Sequence, residues 1–370
     1  MKHLATRIAA ALLPAALLCN ALPAAAQPMK LTVGYQPWYA QTTTAIIIRG
    51  LELWKKYLPN DIEVEIQASL QGPVIINNML ADKMQIGYLG DMPAIVSTTK
   101  ADIADIRMVA ASSYSMGQGC HLLLVRKSAP QFKSPQEAVR WLDGKVVAAP
   151  KGGCTDLFFR KVMKAENITP KEYQHQGAEA IITNFRANKL DGAVIPDFPM
   201  TRINNLVGEG TARLVATGYT YKVPDAGMIV MRADFMKARP DVAKAWLKME
   251  LEAQRYMIDR KNWDKIAELV VAQNPGYTKR EAWVANFGRI PKEQGGGPVR
   301  QLFPFVLDDN VRAKMADGFQ FLKEIKVIDV DKPRDGALDD SLARQVAQEA
   351  KATLPLGEIA GDPVERAPRK

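Results

Sequence analysis

The stretch KVVAAPKGGCTDLFFRKVM, residues 145–163, combines a short apolar run, a turn and the start of an amphipathic helix. The run from Lys145 to Ala149 predicts a strand, and a helical pattern opens at Leu157. The glycine pair between them lets the backbone approach a ligand closely, and the first helical turn offers unpaired N–H groups with partial positive charge. This unit predicts a seat for a small anion, although Gly-Gly also occurs in such turns for packing alone.

The first residues have the features of a secretory signal peptide. Lys2 and Arg7 supply positive charge, Ile8 to Leu18 form an apolar stretch, and Ala24-Ala25-Ala26 provides a small-residue cleavage site. The sequence therefore predicts a signal peptide over residues 1–26, cleaved near Ala26, and a mature protein in the periplasm.

Two other interpretations of this segment have less support. Cys19 would permit lipidation, but Leu18 before it is bulky where a lipoprotein signal requires a small residue. A retained membrane anchor would need about 20 apolar residues, more than this stretch contains. We therefore expect a soluble exported protein.

The charge and length of the mature chain argue against nucleic-acid binding and for two lobes. Loss of Lys2 and Arg7 with the leader lowers the formal net charge from +9 to +7. The remaining basic residues are scattered without an interleaved aromatic cluster, which argues against nucleic-acid binding. A mature chain of about 340 residues exceeds the usual single core and predicts two lobes.

Strand and helix patterns alternate along the first two thirds of the chain. This order predicts an α/β fold with open layers and mainly parallel pairing. From Ala226 onward the pattern becomes largely helical, with Val242 to Ile258 and Trp263 to Ala272 the clearest amphipathic stretches. The loop Arg289 to Arg300, with its glycine run, is expected to be exposed.

The chain is expected to cross between the lobes twice, at about Gly119 to Leu122 and near Pro224 to Met228. In open α/β sheets ligands bind beyond the carboxyl ends of strands, so the cleft between the lobes is the predicted binding site. The predicted organisation is a first lobe over 27–119 that resumes, largely helical, over 226–348, a second lobe over 120–225, and a flexible tail over 349–370.

Five short motifs stand in an order that resembles a known family. They are Gly34 to Pro37, Ile86 to Asp91, Leu142 to Lys145, Ala180 to Phe185 and Leu190 to Ala193. Together they resemble the solute-binding proteins of ABC importers for nitrate, taurine and aliphatic sulfonates. The resemblance covers roughly residues 29–328 and rests on order and spacing.

The resemblance implies a two-lobed periplasmic binding protein of type II, with a ligand cleft between its lobes. Such a protein captures a small solute, presents it to an ABC permease in the inner membrane and does no chemistry. The implied solute is taurine, an alkanesulfonate, nitrate or a related organic anion or zwitterion. The implied protein is a monomer without a cofactor.

The chain departs from the family pattern at two cleft positions, so the usual ligands do not transfer directly. Gly153-Cys154-Thr155 stands where many relatives have smaller residues, and Ile195-Pro196-Asp197-Phe198 replaces Trp-Glu-Pro or Trp-Asp-Pro. Two other functions stay open. One is a periplasmic sensor for a membrane receptor, and the other is an enzyme resembling the pyrimidine-forming proteins of thiamine biosynthesis, whose cysteine-rich motif is absent from this sequence.

Residues at the predicted strand ends are the candidate ligand contacts. They are Gln36, Trp38, Thr42, Gly90, Asp91, Ser113, Gly153, Cys154, Thr155 and Asp197. Trp38 could instead pack under the following helix, and Asp91 could serve only as a helix N-cap. If Asp91, Asp156 and Asp197 face the ligand, a zwitterion such as taurine suits the site, with its ammonium on a carboxylate. If they turn outward, hydroxyls would contact an uncharged or anionic group.

Cysteine and histidine positions raise two further questions. Cys120 and Cys154 could form a disulfide, with two free buried thiols as the alternative. A metal site from Cys120, His121, Cys154 and Asp156 lacks a recognised ligand spacing, so no metal is predicted. The other histidine of the mature chain, His175, has no identifiable nucleophile or orienting partner for a catalytic triad.

Overall fold

The computed structural model describes residues 29–69, 71–206 and 211–369, and of residues 203–206 it describes the backbone alone. The predicted signal peptide, residues 1–26, lies outside the described residues. In the described part of the chain, every helix is too short or too polar to span a lipid bilayer.

Strands alternate with helices in the first part of the chain, as the sequence predicts. The strands are β1 (Met29–Tyr35), β2 (Ile62–Ala68), β3 (Ile86–Gly90), β4 (Ile106–Ser115), β5 (Leu122–Arg126), β6 (Val146–Ala149), β7 (Glu172–His175), β8 (Gly192–Ile195), β9 (Ala212–Thr217), β10 (Asp225–Arg232), β11 (Gln301–Phe303) and β12 (Gly357–Ile359). The helices are α1 (Thr43–Gly50), α2 (Trp54–Tyr57), α3 (Gly72–Leu80), α4 (Asp91–Thr98), α5 (Pro135–Arg140), α6 (Cys154–Glu166), α7 (Ala178–Arg186), α8 (Asp197–Leu206), α9 (Ala233–Ala238), α10 (Pro240–Ile258), α11 (Trp263–Gln273), α12 (Lys279–Phe287), α13 (Asp309–Glu324) and α14 (Ser341–Glu349).

The strands form two sheets. The larger has the order β12-β11-β4-β10-β3-β1-β2, and the smaller has the order β7-β6-β8-β5-β9. We call the larger sheet with its helices the first lobe and the smaller sheet with its helices the second lobe. The chain passes between the sheets at residues 116–121 and returns at 218–224. The structure is a mixed α/β fold with two lobes.

Pairing within the sheets is mixed, so the expectation of mainly parallel pairing is wrong. β1 lies parallel to β2 and β3, and β6 lies parallel to β7 and β8. β5 and β10, however, run antiparallel to both of their neighbours. Each of these two strands carries the chain into a sheet directly from the other lobe, so it enters from the cleft end and runs against the strands that start at the far end.

Each lobe has its own buried core. In the first lobe, Ile46 and Ile47 of α1 pack with Trp246 of α10 and Tyr88 of β3. In the second lobe, Phe158 and Phe159 of α6 pack on the apolar residues of β5 and β6. The apolar run at 146–149 is buried because helices cover both faces of its sheet. This arrangement places the strand ends and the start of α6 at the cleft.

Helix α6 begins at Cys154, three residues before the predicted start at Leu157. Gly152 has φ of 67°, a left-handed conformation that favours glycine, and Gly153 is the extended N-cap residue. Asp156 accepts a 2.9 Å hydrogen bond from the backbone N–H of Gly152. The acidic side chain therefore caps the turn, and the helix starts directly after the glycine pair.

The loop at 289–300 is not uniformly exposed, contrary to the sequence expectation. Its Gly295, Gly296 and Arg300 are buried. Gln118 in the first crossing segment donates to the Val299 carbonyl at 2.6 Å and accepts from the Gly297 N–H at 3.0 Å. Glycine-rich composition is typical of exposed loops, which is the reason for the sequence expectation. Here the glycines instead allow the loop to pack closely against the crossing segment.

The C-terminal residues also differ from the predicted flexible tail over 349–370. β12 pairs antiparallel with β11, and its Ile359 is 1% exposed. The Arg280 guanidinium donates to the carbonyl oxygens of Val364 and Ala367 at 3.1 and 3.2 Å. These backbone contacts fix a segment whose proline and charge content resembles that of a disordered tail.

Candidate functional site

A small buried cavity lies where the two lobes meet. Its walls come from the first lobe, the second lobe and the crossing segment between them. The lining residues are Ala40, Gln41, Ser113, Ser115, Gly119, Asp197, Asp225, Ala285, Asn286, Arg300 and Gln301. The space open to the centre of a water-sized sphere is about 10 Å³, which is room for about one water. A solute larger than water can therefore enter only if the lobes separate.

An ion pair between the lobes forms one wall of this cavity. Arg300, directly before β11, donates from Nη2 to Oδ1 of Asp197 at 2.8 Å, and also to the carbonyl oxygen of Ala285 at 2.7 Å. The side chains of Arg300 and Asp197 are 4% and 2% exposed. Burial raises the pKa of Asp197 well above its ordinary value, and the positive charge of Arg300 opposes that rise.

A second carboxylate, Asp225 at the start of β10, lies in the same cavity. It accepts hydrogen bonds from Nε2 of Gln41 at 2.7 Å and from the backbone N–H groups of Gly119 and Cys120 at 3.2 and 3.0 Å. Burial raises the pKa of Asp225, and these hydrogen bonds act in the opposite direction. A Cβ on Gly119 would lie 2.9 Å from Oδ1 of Asp225, so glycine permits this close approach.

Two polar atoms of the cavity residues are buried without a hydrogen-bond partner among the described residues. They are Nη1 of Arg300 and Oε1 of Gln41. An unpaired buried guanidinium N–H costs free energy unless a group supplies an acceptor. The site therefore offers one cationic donor and one neutral acceptor, next to two carboxylates. This set of groups can bind a small molecule that carries both an acid and a donor group.

The start of α6 forms a separate wall of the cleft, built on a disulfide. Cys120, just before β5, is joined to Cys154 at the start of α6, with the two Cα atoms 6.3 Å apart. His121 is fully buried, and burial lowers its pKa to about 4, with the charge of Lys314 acting in the same direction. Thr155 is 1% exposed, and its hydroxyl has no hydrogen-bond partner within the described ranges.

The three aspartates considered in the zwitterion hypothesis have different surroundings. Asp91 forms a fully buried ion pair with Lys314 of α13, with Oδ2 and Nζ 3.1 Å apart. It is the first residue of α4 and accepts a 2.7 Å hydrogen bond from the N–H of Met92, while Gly90 is the N-cap residue, so the N-cap role considered for Asp91 is wrong. Asp156 binds the Gly152 turn and Arg160. Only Asp197 of the three lies in the cavity wall.

The predicted contact residues therefore divide into two groups. Ser113 and Asp197 line the cavity, and a Cβ on Gly90 would lie 3.6 Å from Oε1 of Gln41. The Thr42 hydroxyl instead donates to the carbonyl oxygens of Gln36 and Tyr39. The remaining positions lie beside the cavity rather than in its wall: Trp38 packs against the first-lobe core, Gln36 is buried in its turn, and Gly153, Cys154 and Thr155 form the start of α6.

The sequence did not indicate three of the charged or hydrogen-bonding residues that line the cavity. Arg300, Gln41 and Asp225 were not among the candidates. Asp225 is the first residue of β10, and Gln41 lies in the connection between β1 and α1. The positions that selected the other candidates, at and after strand ends, could therefore have selected these two as well. Arg300 follows a glycine-rich loop in a helical part of the sequence, and no local pattern there indicates burial.

Further contacts hold the lobes together around the cavity. Lys161 of α6 forms an ion pair with Asp317 of α13 at 2.6 Å. Phe198 of the second lobe packs edge to face against Tyr277 of the first, with ring centroids 5.5 Å apart. Leu157 of α6 lies in a first-lobe core cluster. Together with the small cavity, these contacts describe a closed arrangement of the two lobes.

Two α/β lobes that close on a cavity between them define the fold of the two-lobed periplasmic binding proteins. The chain belongs to the NMT1-like family, whose model matches residues 24–271. A curated relative, the taurine-binding periplasmic protein of Escherichia coli (strain K12), is 24% identical over 201 residues, which are 53% of this chain and 58% of the relative. The match thus spans a little over half the length of that relative.

Solved structures of similar fold cover more than four fifths of the chain. The periplasmic aliphatic sulphonate binding protein SsuA from Escherichia coli has a TM-score of 0.63 at 16% identity, covering 82% of this chain and 90% of its own. The periplasmic nitrate-binding protein NrtA from Synechocystis PCC 6803 has a TM-score of 0.65 at 16% identity, covering 87% and 89%. At this identity the likeness establishes the fold.

Proposed function

We propose that this protein is the solute-binding component of an ABC importer. In this proposal it works in the periplasm, captures a small solute between its lobes and presents it to a permease in the inner membrane. Three observations support the proposal: the two-lobed fold, the names of the similar proteins, and the secretory features of residues 1–26.

The observation that carries the proposal is the buried polar cavity between the lobes. Its lining residues come from both lobes, so a molecule bound there contacts both and stabilises their closed arrangement. Among the described residues, Nη1 of Arg300 has no hydrogen-bond partner, and in this proposal it donates to an acidic group of the solute. The size of the cavity supports closure around a ligand, because a space of about 10 Å³ admits about one water and the lobes must separate for a larger solute to enter.

The charges of the cavity favour a zwitterion over a simple anion. Asp197 and Asp225 are both buried there, and Arg300 is the cation that lines the cavity with them. Burial raises the pKa of both acids, and a bare anion beside them would raise it further, whereas an ammonium group would favour their ionised forms. A solute with an ammonium group and a sulfonate or carboxylate group compensates the acids and supplies an acceptor to Arg300. Taurine and short amino acids have this chemistry.

Binding is tested by calorimetric titration of the purified mature protein with taurine, alkanesulfonates, nitrate and short ω-amino acids. Arg300→Gln should weaken the solute that binds by about tenfold or more, because charged hydrogen bonds contribute about 1.5–3 kcal/mol. Arg289→Gln is the matched control, since that guanidinium binds the carbonyl oxygen of Gly361 outside the cavity. Equal losses in both variants would reject the role of Arg300.

A second measurement does not depend on the choice of solute. Protein purified under native conditions is denatured, and released small molecules are identified by mass spectrometry. A zwitterionic solute recovered in near-stoichiometric amount would support the proposal. If no solute is released and none of the titrated compounds shows saturable binding, the proposed function is wrong.

A further inference from the structure

The cleft wall contains a cluster of three potential metal ligands next to the cavity, and none of the three is among the residues that line it. The ligand atoms of Cys120, His121 and Cys154 all lie within 4.8 Å of one another. The first two residues are fully buried and Cys154 is 9% exposed. In the oxidised protein the two sulfurs are joined to each other, so the imidazole is the one group of the cluster with a free ligand atom.

The imidazole of His121 is held in the form that binds metals. Its Nδ1 lies 2.9 Å from the carbonyl oxygen of Val223. A carbonyl oxygen only accepts, so Nδ1 carries the proton and Nε2 has a free lone pair. Nε2 is buried and has no hydrogen-bond partner in the described part of the chain. A ring stack on Phe158, with centroids 5.1 Å apart, further fixes the imidazole plane. Metal-binding histidines commonly have such a backbone carbonyl on the other ring nitrogen.

The two sulfurs come from segments that the fold holds side by side. Cys120 lies near the end of the first crossing segment, and its N–H donates to Asp225 at 3.0 Å. Cys154 is the first residue of the 13-residue helix α6, where the partial positive charge of the helix start favours a thiolate. The ligands thus converge from three positions without a sequence spacing typical of zinc motifs.

We propose that reduction of the Cys120–Cys154 disulfide converts this cluster into a binding site for a thiophilic divalent cation, with zinc as the representative ion. A dithiol of another protein supplies two electrons and two protons, forms its own disulfide and leaves two thiols here. Binding of the cation then releases the two thiol protons, and Nε2 of His121 completes a set of two sulfurs and one nitrogen. This donor set suits zinc and excludes magnesium and calcium, which require oxygen ligands. The fourth tetrahedral position is left for water.

The test uses mature protein in two states, oxidised and reduced with a phosphine that does not itself bind the metal strongly. Titration with Zn²⁺ is followed by calorimetry, and titration with Co²⁺ by the thiolate-to-cobalt charge-transfer absorption. We expect one equivalent to bind to the reduced protein and none to the oxidised protein. His121→Gln should weaken binding by about tenfold or more and alter the cobalt spectrum. The matched control is His175→Gln, because His175 lies exposed on β7.

The double variant Cys120→Ala, Cys154→Ala serves as a second check if His121→Gln fails to fold. It lacks both sulfurs and should bind no Co²⁺ with a charge-transfer band in either redox state. The proposal is wrong if reduced protein with two titratable thiols binds no stoichiometric metal, or if His121→Gln binds as tightly as His175→Gln. Solute titrations play no part in this test, so its outcome is separate from that of the proposed transport function.

Discussion

Nη2 of Arg300 and Oδ1 of Asp197 lie 2.8 Å apart in a buried ion pair that joins the two lobes. The two residues are 103 positions apart in the sequence. Each charge has the other as a partner in the closed form, and opening of the lobes exposes both to water. A solute that offers both an acid and an amine can bind to each member of the pair during closure. The pair therefore stabilises the closed form and is a candidate for selecting which solute binds.

The first prediction concerns the charge of Asp197. Asp197→Asn should weaken an amine-bearing solute by about 10- to 100-fold, because the lost charged hydrogen bond contributes about 1.5–3 kcal/mol. The amine-free analogue should lose much less affinity. The difference in affinity loss is measured by calorimetric titration with taurine and with ethanesulfonate. If another solute binds, that solute and its amine-free analogue are used instead. Asp317→Asn is the matched control, because Asp317 also bridges the lobes but lies outside the cavity. A similar loss for both analogues would show that Asp197 does not bind the amine.

The second prediction concerns the buried pair of Asp91 and Lys314. Their side chains are 1% and 0% exposed, so Asp91→Asn should lower the free energy of unfolding by about 3–5 kcal/mol by leaving Lys314 uncompensated. Adding Lys314→Met removes the stranded charge and should recover most of that loss. Chemical denaturation of the four proteins of this cycle measures the coupling.

The exposed pair of Lys323 and Asp331 provides the comparison for that cycle. Their side chains are 47% and 56% exposed, and Lys323→Met should cost no more than about 1 kcal/mol. Suppose that Asp91→Asn lowers the free energy of unfolding no more than Lys323→Met does, and that it abolishes solute binding. Asp91 would then be a ligand contact rather than a residue that stabilises the fold.

The third prediction concerns the disulfide and stability. It closes a loop between residues 34 positions apart. The chain-entropy model gives about 4 kcal/mol for a loop of that length, so Cys120→Ala, Cys154→Ala should unfold at a clearly lower temperature than the oxidised protein. Differential scanning calorimetry with and without a phosphine reductant measures this. Reductant should lower the melting temperature of the native sequence and leave that of the double variant unchanged; a shift in the double variant would show that the reductant acts elsewhere.

The fourth prediction concerns a buried acid in the first-lobe core. Glu250 of α10 is fully buried and accepts hydrogen bonds from Tyr88 and Gln254, each 2.8 Å long. Burial raises its pKa from 4.5 to about 7. Between these two values the folded protein binds more protons than the unfolded chain, so stability falls as the pH rises through this window and levels off above it. The contribution of this group amounts to roughly 3 kcal/mol.

Glu250→Gln isolates that contribution, because glutamine has a similar shape and does not titrate. The difference in unfolding free energy between the two proteins, measured by denaturation from pH 4.5 to 8, should increase in favour of the variant as the pH rises. A pH-independent difference would contradict the assignment. The other buried acids, among them Asp197 and Asp225, are the same in both proteins, so their contributions cancel.

Local sequence patterns were sufficient to predict the α/β class and many element positions. The run at 145–149 and the helix after the glycine pair were predicted because strand and helix periodicity are properties of a few consecutive residues. The burial of irregular segments was harder to predict. The loop before Arg300 and the residues around β12 have the composition of exposed chain, but they are buried by contacts with residues distant in the sequence.

Residue patterns alone establish the alternation of strands and helices, the glycine turn before α6 and the two cysteines that are available for pairing. The packing of the lobes, in contrast, places Asp91 against Lys314 and Asp197 against Arg300, and brings Gln41 and Asp225 into the same cavity. The reason is physical. Periodicity and turn chemistry act between neighbours in the chain, whereas the partner of a buried charge is set by how the two sheets and their crossing segments bring distant residues together.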